Sequence, residues 1–174
     1  MRKEYGFLTF LSYAVLGWCY EVFLETAIYH WGFSNRGFLF GPYCPVYGFG
    51  ALLLFACLRP LRGVRRKAVL PPLVFAAAML LATMVELLTS YLLEAVTGGW
   101  LWDYHSYAVQ YDGRIALSPS LRFGLGGLFF CYIVQPLLQR AAAKIGEEGC
   151  RRAARVLFAG FLLDFCISAA LRLC

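Results

Sequence analysis

Ser34-Asn35-Arg36-Gly37-Phe38-Leu39-Phe40-Gly41-Pro42-Tyr43-Cys44-Pro45-Val46-Tyr47-Gly48-Phe49-Gly50 sets a charged, bend-forming loop directly against an apolar run. That run is too short and too interrupted to be an ordinary membrane helix. Its glycines and prolines mark places where the backbone must turn or approach a neighbour closely. An arginine at membrane depth needs an anionic partner or water, because unpaired charge is expensive inside a bilayer. A protein built around this loop therefore needs membrane spans beside it and carboxylates within them.

Both are present. The chain has 174 residues, one domain's worth, and 61% are hydrophobic. This exceeds the roughly 45–50% usual in soluble proteins, and the excess falls in runs long enough to cross a bilayer. We expect an all-α polytopic membrane protein, a single transmembrane domain with spans at about 7–29, 43–58, 73–96, 121–138 and 156–173. Between the last two, residues 140–155 are read as a basic linker. Residues 98–120, rich in Trp and Tyr, are read as a partly ordered loop at the membrane interface, where amphipathic rings settle.

Twelve of the 16 Lys and Arg residues fall before the first span, after the second and between the fourth and fifth. All three segments lie on one side of a simple threading. The positive-inside rule accounts for this charge and leaves no need for a nucleic-acid partner. It predicts a multi-pass membrane protein with its N-terminus cytoplasmic and its C-terminus outside. The first span is too long for a cleavable signal and carries two glutamates. The seven cysteines show no Cys-x-x-Cys and no metal-ligand spacing, so no metal site is expected.

The acidic residues concentrate elsewhere. Glu21 and Glu25 share a face of the first span, and Glu86, Ser90 and Glu94 recur every four residues along the third. Asp103 and Arg114 lie in the outer loop. Buried carboxylates either take up protons or find cations, and a guanidinium grips a carboxylate bidentately. The constellation predicts a charged ligand-binding cavity in the outer half of the bilayer, formed by Glu21, Glu25, Asn35, Arg36, Glu86, Ser90, Glu94, Asp103 and Arg114. The competing use of these residues is as interhelical ion pairs that hold the bundle together. Trp100, Trp102, Tyr104, Tyr107 and Tyr111 read as an interfacial aromatic belt.

The halves also echo one another. Glu21, Arg36-Gly37, Pro42 and Gly48-Phe49-Gly50 are answered by Glu86, Gly113-Arg114, Pro119 and Gly124-Leu125-Gly126. Both halves start on the same side, so the expected repeat is parallel and pairs two helix pairs.

The run Asn35-Arg36-Gly37-Phe38-Leu39 with Gly41-Pro42, Pro45-Val46-Tyr47-Gly48 and Gly50 resembles the ABC-transporter type IV family. The second half agrees through Glu86, Ser90, Glu94, Trp102-Asp103-Tyr104, Gly113-Arg114-Ile115 and Ser120-Leu121. The resemblance implies a multi-span bacterial membrane protein of the transporter-permease kind. No Gly-x-x-x-x-Gly-Lys-Ser/Thr loop is present, so ATP-driven work would require a separate ATPase subunit. The expected work is transport or capture of a small polar or amphiphilic ligand, with membrane lipids as the other partners and no cofactor.

Two alternatives stay open. One is a membrane-embedded enzyme acting on a lipid or polyprenyl-type substrate, with Asp103 or Glu86 as acid or base and Arg36 or Arg114 holding a phosphate. No Ser, Cys or Lys stands convincingly beside a His, so no nucleophile–base set is assigned. The other is a non-catalytic subunit of a membrane complex.

Overall fold

The computed structural model describes residues 2–28, 30, 32–35, 39–58, 67–100 and 102–173. Helix α1 runs Arg2–Phe23 and continues as a π-helical turn, Leu24–Ile28; α2 covers Pro45–Cys57; and α3 covers Leu70–Thr97. Two short strands, β1 (Gln110–Tyr111) and β2 (Ile115–Ala116), pair antiparallel ahead of α4, Leu117–Phe129. A π turn, Phe130–Val134, leads into α5, Gln135–Leu173.

Local chemistry explains where these elements start and stop. Helix α3 has proline in its first turn, where a missing N–H costs nothing. It ends at Gly98, whose φ of 82° returns its N–H to the Glu94 carbonyl at 2.9 Å. Pro136 has no N–H to offer the turn before it. Immediately upstream the register widens, and the Gln135 N–H bonds the Phe130 carbonyl. Within α5, Gly146 is non-helical (φ 77°, ψ 172°) and separates two helical arms.

Among the described residues, three helical stretches, Lys3–Ile28, Leu70–Val96 and Leu117–Leu171, are long and apolar enough to cross a membrane, and Pro45–Cys57 is a shorter apolar helix. Their surfaces suit hydrocarbon: Leu88, Leu92 and Val96 form an exposed stripe on α3, while Ser90 is fully buried. The chain is an all-α membrane protein apart from the small β1–β2 pair.

Two expectations change. Residues 140–155, read as a basic linker, are helical on both sides of Gly146. Alanines 141–143 and Glu147-Glu148 are good helix formers, and their polarity does not oppose helix outside a bilayer. Residues 102–116, expected to be only partly ordered, fold around the strand pair. Arg59–Arg66 lies outside the described residues.

The chain divides into two compact units, residues 1–53 with 138–174, and residues 54–137. In the first, Phe7 meets Phe158 and Phe161 edge-on at 5.2 and 6.2 Å. Gly48 there lies against Phe10, where a Cβ would collide. In the second, α3 and α4 approach through Gly124 against Phe75 and Gly127 against Ala78. Small residues let apolar helices close without a hydrophobic driving force.

Candidate functional site

In the second unit, the site begins with a turn. Asp112 and Gly113 both take positive φ, 52° and 65°, and the Arg114 N–H bonds the Tyr111 carbonyl at 2.9 Å. This is the type I′ geometry that Asp-Gly favours between strands. The Tyr104 N–H reaches the Gly113 carbonyl at 2.9 Å, and Trp102 Nε1 donates to the Arg114 carbonyl at 2.8 Å. The turn is thereby tied to the chain segment that follows α3.

Its purpose in the packing is to deliver Arg114. That residue is 4% exposed, and its guanidinium carbon lies 3.9 Å from the Trp100 ring centre and 4.3 Å from that of Tyr91. Nη2 donates to Glu94 at 2.7 Å and Nε to Asp112 at 2.8 Å. The Asp112 hydrogen bond, followed by that of Glu94, pushes the guanidinium pKa above its ordinary value, against the effect of burial. The buried Nη1 has no hydrogen-bond partner among the described residues.

Farther down α3, Tyr104 Oη donates to Glu86 Oε1 at 2.7 Å. Glu86 Oε2 is buried and has no hydrogen-bond partner among the described residues. One turn below, Thr83 Oγ1 donates to Ser120 Oγ at 2.7 Å, and Ser120 in turn donates to the Ala116 carbonyl. Ser90 bonds the Leu87 carbonyl of its own helix. Asp103 faces away, exposed. It accepts from the His105 backbone N–H at 2.9 Å and lies 2.5 Å from His105 Nδ1, and these two contacts in that order lower its pKa. Its side chain is 71% exposed, against 43% for that of Glu94.

The first unit holds the other candidates. Tyr47 Oη donates to Glu21, and its ring fills the space left by Gly17. Glu25, 4% exposed, accepts from Ser34 Oγ at 3.2 Å. Asn35 accepts from Trp18 Nε1 and donates to the Phe40 carbonyl, both at 2.8 Å. Arg36 lies outside the described residues.

Asp164 lies in the second arm of α5. It receives four donors: the backbone N–H groups of Phe40 (3.2 Å) and Gly41 (2.9 Å), Tyr43 Oη (2.5 Å) and Ser168 Oγ (3.1 Å). It clamps the Gly-Pro loop against α5.

Of the expected site, Glu86, Ser90, Glu94 and Arg114 thus gather on α3 and the turn above it, with Glu94 the glutamate within ion-pair reach of Arg114. Glu21, Glu25 and Asn35 belong to the other unit. The tyrosines were missed. Tyr47 and Tyr104 each hydrogen-bond a carboxylate of an apolar helix, and Trp100 and Trp102, expected in an interfacial aromatic belt, are engaged by Arg114. A tyrosine near a bend, in a chain with carboxylates on one helical face, is the signal that could have found them.

The profile of the family described as Putative ABC-transporter type IV matches residues 8–169. No curated protein matches the chain, and no solved structure does.

Proposed function

The chain belongs to the ABC-transporter type IV family, and on that premise we propose that it is a permease-like membrane component that binds a small polar or amphiphilic ligand through Glu86. The supporting observation is the buried Glu86 Oε2, which lacks a protein partner among the described residues. A buried acceptor left unmatched costs roughly 1–3 kcal/mol. A ligand ammonium or hydroxyl would remove that cost, and Tyr104 holds the carboxylate in place from its other oxygen. Ser90, Glu94 and Arg114 frame the site, and a separate ATPase subunit supplies any ATP-driven step.

The first unit's Glu21, Glu25, Asn35 and Arg36 are proposed as the matching half of a parallel repeat. Phe10 closes on Gly48 as Phe75 closes on Gly124, and each phenylalanine stands eleven residues before its glutamate, Glu21 or Glu86. In the same reading the two arms of α5 around Gly146 belong to successive spans, with the N-terminus cytoplasmic. A cysteine placed at Ser106 should then react with an impermeant thiol reagent added outside. Protection there, with labelling only after permeabilisation, reverses the orientation.

The direct test is mass spectrometry of small molecules that co-purify with the wild type and with Glu86→Gln. A ligand present with the first and absent from a folded Glu86→Gln supports the reading. Equal occupancy of both contradicts it.

The enzyme alternative keeps one specific support. The Asp103–His105 contact orients an exposed imidazole as a base would need. Consumption of an added polyprenyl phosphate, lost in His105→Ala, would favour it over transport.

A further inference from the structure

Two buried polar atoms of the second unit lack hydrogen-bond partners among the described residues: Glu86 Oε2 on α3, and Arg114 Nη1 between β1 and β2. Each belongs to a pair of side chains that joins residues 102–114 to α3. Tyr104 Oη donates to Glu86 Oε1, and Arg114 Nη2 donates to Glu94 Oε2, both at 2.7 Å. The two glutamates stand eight residues apart, about 12 Å along the helix. One short segment reaches both.

That segment is braced internally. The Tyr104 N–H bonds the Gly113 carbonyl, Trp102 Nε1 bonds the Arg114 carbonyl, and β1 pairs with β2. Its ends are built to bend. On one side α3 stops at Gly98, φ 82°, and a Cβ on Gly98 or Gly99 would meet nothing within 4 Å. On the other, Ala116 is extended ahead of α4 (φ −144°, ψ 153°).

We propose that residues 102–114 form a lid, closed in this structure, with Tyr104 and Arg114 as its two latches. Both orphan atoms weaken the closed form, because opening gives each of them water to bond. The closed form also denies entry. Glu86 Oε2 has no exposed surface, so a ligand meets it only after the cover moves. The lid's purpose therefore rests on the reading of Glu86 as the ligand's anchor. Asp112 travels with Arg114, bonding Nε at 2.8 Å, so the guanidinium keeps a carboxylate when it leaves Glu94.

The test is modification of the full chain in detergent by two water-soluble reagents, read residue by residue with peptide mass spectrometry. A carbodiimide with added glycinamide converts accessible carboxylates to amides, and a dicarbonyl condenses with accessible guanidiniums. Tyr104→Phe frees the Glu86 end of the lid, and Glu94→Gln frees the Arg114 end. The decisive readout in each variant is the opposite end, which the substitution does not touch. Arg114 should react about tenfold faster in Tyr104→Phe, the value of roughly one hydrogen bond to a charged group. Glu86 should quicken by a similar factor in Glu94→Gln. Exposed Asp103 is the reference for reagent strength. A variant that quickens its own end alone, or neither end, overturns the lid. Should Glu94→Gln fail to fold, Tyr104→Phe, which deletes a single hydroxyl, decides by itself. No ligand enters either reaction, so a chain that opens yet co-purifies with nothing contradicts the Glu86 reading and not the lid.

Discussion

Two intramembrane carboxylates, Asp164 and Glu86, stand in contrasting surroundings. Asp164 receives four donors and joins a loop to a helix. Glu86 receives one, from Tyr104, and keeps a buried oxygen unmatched among the described residues. Both pay for entering an apolar helix, roughly +2.5 to +3.5 kcal/mol on translocon scales. At Asp164 the return is visible as structure. At Glu86 it is not, which is why we assign Glu86 to ligand binding and Asp164 to scaffold.

The largest expected effect is at Asp164. Asp164→Ala strands two backbone N–H groups, Tyr43 and Ser168, and should cost about 3 kcal/mol, read as a lowered thermal midpoint in detergent. Asp164→Asn, which keeps part of the donor set matched, should lose less. If both variants melt like the wild type, the clamp is not what holds residues 39–44, and the contrast with Glu86 loses its meaning.

Next comes the turn that delivers Arg114. Gly113→Ala meets a positive φ, and its Cβ would strike the His105 ring. We expect a loss of about 1–2 kcal/mol, with Glu86→Gln/Gly113→Ala no worse than Gly113→Ala alone. An unchanged melt would show that the turn is replaceable and that Arg114 is held by its aromatic neighbours.

Much of this was legible beforehand. The stripe Glu86-Ser90-Glu94 followed from helical period, and the need of Arg114 for a carboxylate followed from the cost of a buried guanidinium, though not which of Glu21, Glu25, Glu86 and Glu94 would meet it. The β1–β2 pair was not legible. Its strands have two residues each, too short for any alternation, and the Asp112-Gly113 signal had no flanking pattern to support it. The helical nature of residues 140–155 was hidden by their charge, which separates them from spans but does not oppose helix. Nor could spacing reveal which tyrosine serves which carboxylate. Tyr104 and Glu86 are eighteen residues apart and meet only because the chain folds back after Gly98.

A smaller effect sharpens the comparison at the exposed end. His105 depresses the Asp103 pKa through its backbone N–H and then its ring. The sign follows: with the folded pKa below the unfolded one, the stabilisation is fully present above the ordinary carboxylate range. It fades as pH falls through the lowered folded value. Hydrogen-exchange protection factors for residues 102–116 should therefore drop on acidification, and Asp103→Asn should remove that part of the pH dependence. A pH response unchanged in Asp103→Asn would show that the Asp103–His105 contact does not carry it.

The smallest expected change in stability is also the most telling. Measured side by side in detergent, Glu86→Gln should melt within a degree or two of the wild type, since glutamine still accepts from Tyr104 and no ion pair is broken. Asp164→Ala should melt far earlier. If Glu86→Gln falls as far as Asp164→Ala, Glu86 is scaffold after all, and the ligand site must be sought elsewhere.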